Sequence, residues 1–555
     1  MLQETSDVII IGGGPCGLML ANELGRRGVS AVILDAKPGT ALNPQANATQ
    51  ARTMEYFRRL GFADEIRALG LPPDFSTDVA YFTRFAQHEL ARFRLPSARE
   101  AQKKIRSMSG AWSAAELPHR VSQKYVERTL RKQAEQLPGI SVNYGWRMLA
   151  FHELGNGVEV EVEKVDSGTR QKLSGTYLVG ADGARSAVRE QLGFRYTGET
   201  GVQRDFMGGR MYAIYLRATN FYKQVPNSPA WMNVTFNGQR RAFMAAVDGM
   251  GEFAFHTQLK AHEREEDITE ADALSMFQAA VGMDIPAEIL SRGTWSAGHA
   301  LVADRFQKGR VFLGGDAVHL FTPTGGLGYN TAIEDAVNLG WKLESVIKGN
   351  ASPELLDSYE AERRPLAVRN TTFARGFADS LGLYTPVPEI EDDTHEGEAA
   401  RLEAGLYLAE HGRKEFNIPG ITFGGRYDGS PIIVADGTTP PPDAANNYVP
   451  TACPGGRAPH LWLDVEKGES LYDRFSLSWT LLCLGKQAPE GAEFAAIADR
   501  LGLELNIVKV PSEEARVLYE ADLALIRPDQ VVAWRGNSED QAERVFERVL
   551  AIKAA

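Results

Sequence analysis

Cysteine is scarce in this chain, with three in 555 residues, at positions 16, 453 and 483. They are odd in number and far apart, which argues against a disulfide framework or a cysteine-rich metal site and favours a reducing compartment. A basic excess is lacking too. Sixty Lys and Arg against 72 Asp and Glu leave a net charge of −12, so neither a nucleic-acid nor an anionic-membrane partner is expected. An anionic small substrate stays compatible with a local basic pocket. No apolar run nears the roughly 20 residues a membrane span needs. The first one, Val8-Ile9-Ile10-Ile11, is short, follows Glu4 and Asp7, and has no basic segment before it, so it does not read as a secretory signal. These absences predict a soluble, cytoplasmic protein without metal. There are no internal repeats and no low-complexity tract.

What is present is long enough for two or three cores. The first 36 residues read strand, helix, strand, with Gly28 ending the helix. Helical periodicity follows from Arg52 to Ala68, and again from Ser122, the expected N-cap, to Gln136. Period-two alternation between about 143 and 179 predicts antiparallel strands. From about 195 to 300, strands Arg210–Leu216, Trp231–Phe236, Ala242–Val247 and Phe253–Gln258 suggest an inserted antiparallel sheet. A buried strand at Gly309–Leu313 precedes a long helix from about Thr331 to Ile347. Acidic Glu389–Glu398 reads as a mobile stretch, and Pro440-Pro441-Pro442 marks a further boundary before a small α/β domain.

Four segments carry chemistry. In Gly12-Gly13-Gly14-Pro15-Cys16-Gly17, Gly12 permits the tight turn, Gly14 lets a pyrophosphate approach, and Gly17 lets helix and strand pack. The helix N-terminus then offers free N–H groups to phosphate. Cys16 is read as a small spacer. Asp35, at the end of the second strand and followed by Ala36, suits a ribose hydroxyl pair. Tyr177 to Ser186 is a strand running into the turn Asp182-Gly183. Gly309 to His319 delivers Asp316 to a strand's carboxyl end, where ligands of α/β sheets bind. Pro323 to Asn330 is a glycine loop opening a helix, suited to a group that gains negative charge.

This ordered set resembles the single-component FAD-dependent aromatic hydroxylases, the group of para-hydroxybenzoate and phenol hydroxylases, over nearly the whole chain. The tail sharpens it. Gly456 to His460, Ser470 to Asp473, and Arg527-Pro528-Asp529 with Trp534-Arg535 resemble the thioredoxin-like domain of the phenol hydroxylase branch. Cys453 and Cys483 lack C-x-x-C spacing, so that domain is expected to be structural.

The resemblance implies an α/β (α+β) architecture. A Rossmann-like FAD-binding domain would comprise 1–180 and 300–385, and a substrate sheet 181–299 with pieces from 70–120. A linker (386–440) and a thioredoxin-like domain (441–555) would follow. It implies FAD as cofactor, NADPH or NADH as co-substrate, O₂ and a small aromatic substrate as partners, and a homodimer. Its chemistry is oxygen transfer from a flavin C4a-hydroperoxide to a phenolic ring. Gly12, Gly13, Gly14, Pro15, Cys16, Gly17, Asp35, Ala36, Gln45, Arg52, Gln123, Asp182 and Asp316 are the implied cofactor residues. Gly326, Gly328, Tyr329 and Asn330 would face the flavin N1 and C2 carbonyl, with Pro323 beside the ring.

Asn47 falls where phenol hydroxylases carry an acid near the substrate hydroxyl. Asn47 cannot take a proton, so either another base exists, the substrate ionises by itself, or ionisation is not needed. Pocket candidates on the inserted sheet are Arg210, Tyr212, Trp231, Asn233, Phe243, Phe253, His256 and Trp295. His319 reads as a packing residue, and Arg363 and Arg364 as braces of a helix end. The alternatives are an FAD dehydrogenase or halogenase, although no W-x-W-x-I-P segment is present, a denitrating hydroxylase of nitrophenols or nitrocatechols, and a non-enzymatic flavin binder.

Overall fold

The computed structural model describes residues 2–552 except 202, 203 and 205. Its first sheet is built on Thr5–Ile11, which pairs in parallel with Ala31–Asp35 on one side and Arg170–Gly180 on the other. Val8, Ile9 and Ile10 have no exposed surface, because both faces of this strand are covered, as its unbroken β-branched run requires. Ile140–Tyr144 extends the parallel set beyond Ala31–Asp35, and Val311–Leu313 joins beside Arg170–Gly180. Strands Trp146–Leu154 and Gly157–Lys164 run antiparallel off that edge.

The second sheet has seven strands, in the order Glu288–Ala297, Gly209–Arg217, Glu252–Gln258, Ala242–Ala246, Met232–Thr235, Val79–Phe82, Glu89–Phe93. Helix Glu270–Val281 covers one face, with Phe277 edge-on to Phe255. The other face turns toward the first domain. The third unit is a four-stranded mixed sheet, Leu505–Val510, Trp479–Leu484, Leu523–Ile526 and Val532–Gly536, with helices on both sides in a thioredoxin-like arrangement. Trp341 of the long helix meets Trp479 of this unit edge-on, at 5.6 Å between ring centroids.

Three local readings are corrected. The Arg52–Ala68 helix is two helices, Ala51–Arg59 and Ala63–Arg67, because Gly61 adopts φ 83° between them. Ser122 stands at the start of helix Gln123–Glu135, but its hydroxyl makes no capping bond. The 386–440 stretch is not a free linker. It contains helix His395–Phe416, packed closely enough on the second sheet that a side chain at Gly405 would strike the Leu90 carbonyl. The acidic composition of Glu389–Glu398 marked its solvent-facing entry and hid the packed helix behind it.

Candidate active site

The glycine loop fits a dinucleotide in an asymmetric way. A Cβ at Gly12 would lie 2.1 Å from the Ala181 carbonyl oxygen, and one at Gly17 would lie 2.0 Å from the Gly12 oxygen. Both are fixed by the packing of strand, turn and helix. A Cβ at Gly14 would meet nothing within 4 Å, so its face of the loop is open, at the N-terminus of helix Pro15–Arg26. That is the side a pyrophosphate needs. Gly13 N–H donates to Asp35 Oδ2 at 2.8 Å, and Tyr144 donates its hydroxyl to the Gly13 carbonyl at 2.9 Å. Ala36 follows exposed. Cys16 is buried against Gly314 and Gly315. Burial, then Asp335 and Asp316, push its thiol well above the ordinary range, so it fills space and is no thiolate.

Asp316 stands on the turn after Val311–Leu313. Asp316 is exposed to solvent at its own surface, among crowding protein that desolvates its carboxyl. Burial raises its carboxyl above the usual range. Behind it lies a fully buried network. Asp335 accepts from Gly315 N–H at 3.0 Å, from Arg363 Nε at 2.8 Å, and pairs with His319 Nε2 at 2.7 Å. Arg363 therefore braces the Asp316 turn through Asp335, a residue the sequence did not single out because it lies mid-helix, 19 positions beyond. Arg364 donates to the Ala303 carbonyl. Asp182 is partly engaged within its own segment, accepting from Ser186 Oγ at 2.5 Å, which shapes the turn into helix Ala187–Leu192.

Gly325 and Gly326 both adopt left-handed φ near 63°, swinging the chain into helix Leu327–Ile347 four residues earlier than periodicity placed it. The first N–H groups of that helix, around Gly328 and Tyr329, have no intrahelical partner. Pro323 is exposed beside them. Asn330 holds a neighbouring segment with its side chain. It accepts from Gln50 N–H at 2.9 Å and Thr53 Oγ1 at 2.7 Å, and donates to the Ala48 carbonyl at 3.0 Å. The segment thus tethered contains Asn47, whose Oδ1 is buried without a hydrogen-bond partner. Gln123 reaches the same segment, N–H to the Ala46 carbonyl at 2.7 Å and Nε2 to Gln45 Oε1 at 3.4 Å.

The inserted sheet sorts the pocket candidates by face. Ser291 donates to Asn43 Oδ1 at 2.7 Å, and Tyr215 accepts from Lys124 at 2.6 Å. Both contacts reach the first domain. By register, Met211, Ala213, Phe243, His256 and Trp295 share that face. His256 stacks on Phe243 at 4.5 Å and 12°, and its Nδ1 accepts from Trp295 Nε1 at 3.0 Å. Burial lowers the His256 pKa to about 4, so the ring is neutral and its proton sits on Nε2. Arg210, Tyr212 and Asn233 are corrected as pocket residues, since they lie on the opposite face. Arg210 is half exposed and paired with Glu265 at 2.9 Å. Tyr212 accepts from Arg292 at 3.0 Å, and Asn233 donates to backbone carbonyls of Ala230 and Met244. Phe253 packs on Phe221 on that same far side. Trp231 is buried beside Phe416 of the packed helix. Alternation predicts two faces but not which of them looks toward the other domain.

Arg52 is the other correction. Its guanidinium is spent on Glu55 at 2.9 Å, Gln530 Oε1 at 2.8 Å and the Asp529 carbonyl at 2.9 Å, so it holds the third unit and not a cofactor. Glu55 also accepts from Arg457 Nη2 at 2.5 Å. Cys453 and Cys483 are both buried and free.

Comparison with known proteins agrees with this geometry. Residues 5–374 match the family model described as FAD binding domain, and 451–552 match aromatic-ring hydroxylase, C-terminal. The chain belongs to the FAD-dependent aromatic-ring hydroxylases. It is 31% identical to FAD-dependent monooxygenase apdD of Emericella nidulans, over 97% of this chain and 89% of the relative. It is 28% identical to phenol 2-monooxygenase of a Pseudomonas species, over 96% and 90%. Among solved structures, the K252c-bound RebC variant superposes with a TM-score of 0.88 at 30% identity, covering 99% of this chain and 100% of that one. Aklavinone-11 hydroxylase with FAD and aklavinone superposes at 0.82 and 26%, over 99% and 100%. This family member is therefore an FAD-dependent monooxygenase. No helix among the described residues is long and apolar enough to cross a membrane.

Proposed function

We propose that this monooxygenase oxidises NADH or NADPH and inserts one atom of O₂ into a phenolic aromatic ring held between the Asn43–Thr49 segment and the His256 face of the inserted sheet. The observation that carries this reading is that one segment joins the cofactor side to the sheet: Asn330, at the start of the helix near Gly328, holds Ala48 and Gln50, and Ser291 of the sheet face that carries His256 holds Asn43. Gly14 and Asp35 would hold the ADP half of FAD, Asp316 the ribityl chain, and the backbone around Gly328 to Asn330 the flavin ring. When bound, the flavin supplies the redox chemistry, taking a hydride from the nicotinamide and activating O₂.

The chain's own residues do the rest. Phe243, Met211 and Trp295 keep water from the ring carbon. Trp295 fixes the His256 tautomer, so Nε2–H is offered to a substrate oxygen as donor. His256 does not take up a proton in that role, because its other nitrogen is already accepting. Asn47 offers an unpaired amide oxygen to a hydroxyl. The site therefore orients a phenol, or stabilises a phenolate formed in solution, and contains in these residues no base that removes its proton. The thioredoxin-like unit serves as a brace, and a cytoplasmic homodimer completes the reading, supported by the phenol hydroxylase resemblance.

The test is NAD(P)H oxidation by FAD-loaded protein with a panel of phenols under labelled O₂, with product mass read out. One labelled oxygen per product is expected. Stoichiometric hydrogen peroxide with no labelled product for any substrate that stimulates oxidation would overturn the reading.

A further inference from the structure

Arg120 lies outside every motif above. Thr49 and His119 form an antiparallel bridge, which sets Arg120 directly across from Ala48. Ala48 packs against the inserted sheet's core, and its methyl is what a Cβ on Gly326 would meet, at 3.0 Å. Arg120 thus leaves the chain beside the flavin-side loop and crosses to the sheet, where its guanidinium sits 4.1 Å over the Trp231 ring. It makes no hydrogen bond and no ion pair with any described residue, whereas Arg52 and Arg67 nearby are each paired with a carboxylate. It keeps part of its surface accessible. Burial alone lowers its pKa to about 10, with no acid nearby to oppose it. Below it, Trp231 Nε1 is buried without a partner. A cation–π contact returns only part of the solvation an enclosed guanidinium gives up, and two donors without acceptors at one spot describe a receptor for oxygen anions.

We propose that Arg120 and Trp231 bind an anionic planar group of the substrate, so that this enzyme's substrate class is aromatic carboxylic acids. The proposal rests on the aromatic hydroxylase reading given above. Trp231 is level with Ala246 and His256 with Phe243, on the strands either side of Ala242–Ala246; three residues along the strand and two strand spacings across it separate the two polar ends by roughly 14 Å. The acid group therefore lies remote from the oxygen met by His256, and a two-ring acid spans the site better than a single ring.

The experiment titrates FAD-loaded protein with hydroxybenzoates and hydroxynaphthoates, and with the matching amides and methyl esters, reading the flavin absorbance change. Acids are expected to bind about 30-fold or more tighter than their amides, the loss caused by leaving one partner of a buried charge pair alone. Arg120→Met is expected to bring acid and amide together, and Arg120→Lys to keep part of the preference. FAD content and melting temperature of each variant show whether it is folded. Should Arg120→Met fail to fold, Arg120→Gln is read in its place, and the wild-type preference is decisive by itself. A flavin spectrum that no acid perturbs overturns the proposal, as does equal affinity for acid and amide in the unaltered enzyme. Tight binding of neutral phenols with labelled-oxygen transfer would then leave the hydroxylase reading standing and this one refuted. Failure of oxygen transfer with acids that bind through Arg120 would refute the hydroxylase reading and spare this one.

Discussion

Glu362→Gln should detach the thioredoxin-like unit from the FAD domain. Glu362 is 1% exposed and accepts five hydrogen bonds: from Lys342 at 2.7 Å, Arg527 at 2.7 and 2.9 Å, Asn338 at 2.7 Å and Ser430 at 2.7 Å. Arg527 in turn pairs with Asp529 at 2.6 Å. Two cations and two anions are thus closed off from water in balance. A glutamine leaves two cations facing one anion, and turns an amide NH₂ toward donors that need an acceptor. Breaking a buried pair in this way costs about 3–5 kcal/mol, more than the intact pair contributes, because the orphaned charge keeps its desolvation cost. Adding Lys342→Met restores the balance, so the double variant should recover about 1–3 kcal/mol relative to the sum of the single changes. The Trp341–Trp479 contact spans this junction and reports on it. Urea titration followed by tryptophan fluorescence, with protease susceptibility of the tail alongside, measures the effect. A Glu362→Gln shift worth less than about 1 kcal/mol, or simple additivity in the double variant, refutes the argument. The sign with pH follows from the same residues. Burial opposes the charge of Glu362, but Arg527 and Lys342 hold its carboxyl far below its ordinary 4.5. The stabilisation is therefore complete above pH 4.5 and is lost as pH falls below it.

Three more outcomes are expected. Gly14→Ala should fold and lose FAD affinity, whereas Gly12→Ala and Gly17→Ala should fail to fold, since their Cβ atoms would lie 2.1 and 2.0 Å from backbone oxygens; circular dichroism and FAD content separate the cases, and a folded Gly17→Ala would contradict the packing. Burial lowers His119 and His256 to about 4 and His460 to about 3. The unfolded chain takes up these protons first, so stability should be full above pH 6.5 and fall toward pH 4, by on the order of 3 kcal/mol per histidine; a flat urea midpoint over that range would show the rings are not buried neutral. Asp316→Ala and Asp335→Asn should each weaken FAD retention at least about tenfold, and Asn47→Ala should change turnover and spare FAD; equal FAD loss in all three would remove the distinction between cofactor wall and substrate wall.

The parts of this protein legible in its sequence are those where one residue type answers one local demand. The glycine loop, Asp35 and Asp316 are of this kind, because a strand end, a tight turn and a helix start each constrain a few adjacent positions. The long β-branched runs disclosed the parallel core in the same way. What stayed hidden depends on partners far along the chain. Arg52 resembled a cofactor residue until its guanidinium was traced to Gln530, some 480 positions away. Asp335 has no local signature, yet Gly315 and His319 of the Asp316 turn both hang on it, and Arg363 braces it from a neighbouring helix. The alternating strands of the inserted sheet named Arg210, Tyr212 and Asn233 together with Phe243 and Trp295, and only the contacts of Ser291 and Tyr215 with the first domain tell the two faces apart. The tail motif Arg527-Pro528-Asp529 had the opposite fate. It carried the family resemblance without a function, and the structure gives it one: Arg527 and Asp529 close the buried ion network, and the Asp529 carbonyl holds Arg52. Since Arg52 follows directly on the segment that Asn330 tethers beside Asn47, the third unit braces the wall of the substrate cleft from behind. A domain with no reactive cysteine pair can therefore influence turnover through the position of Asn47 alone.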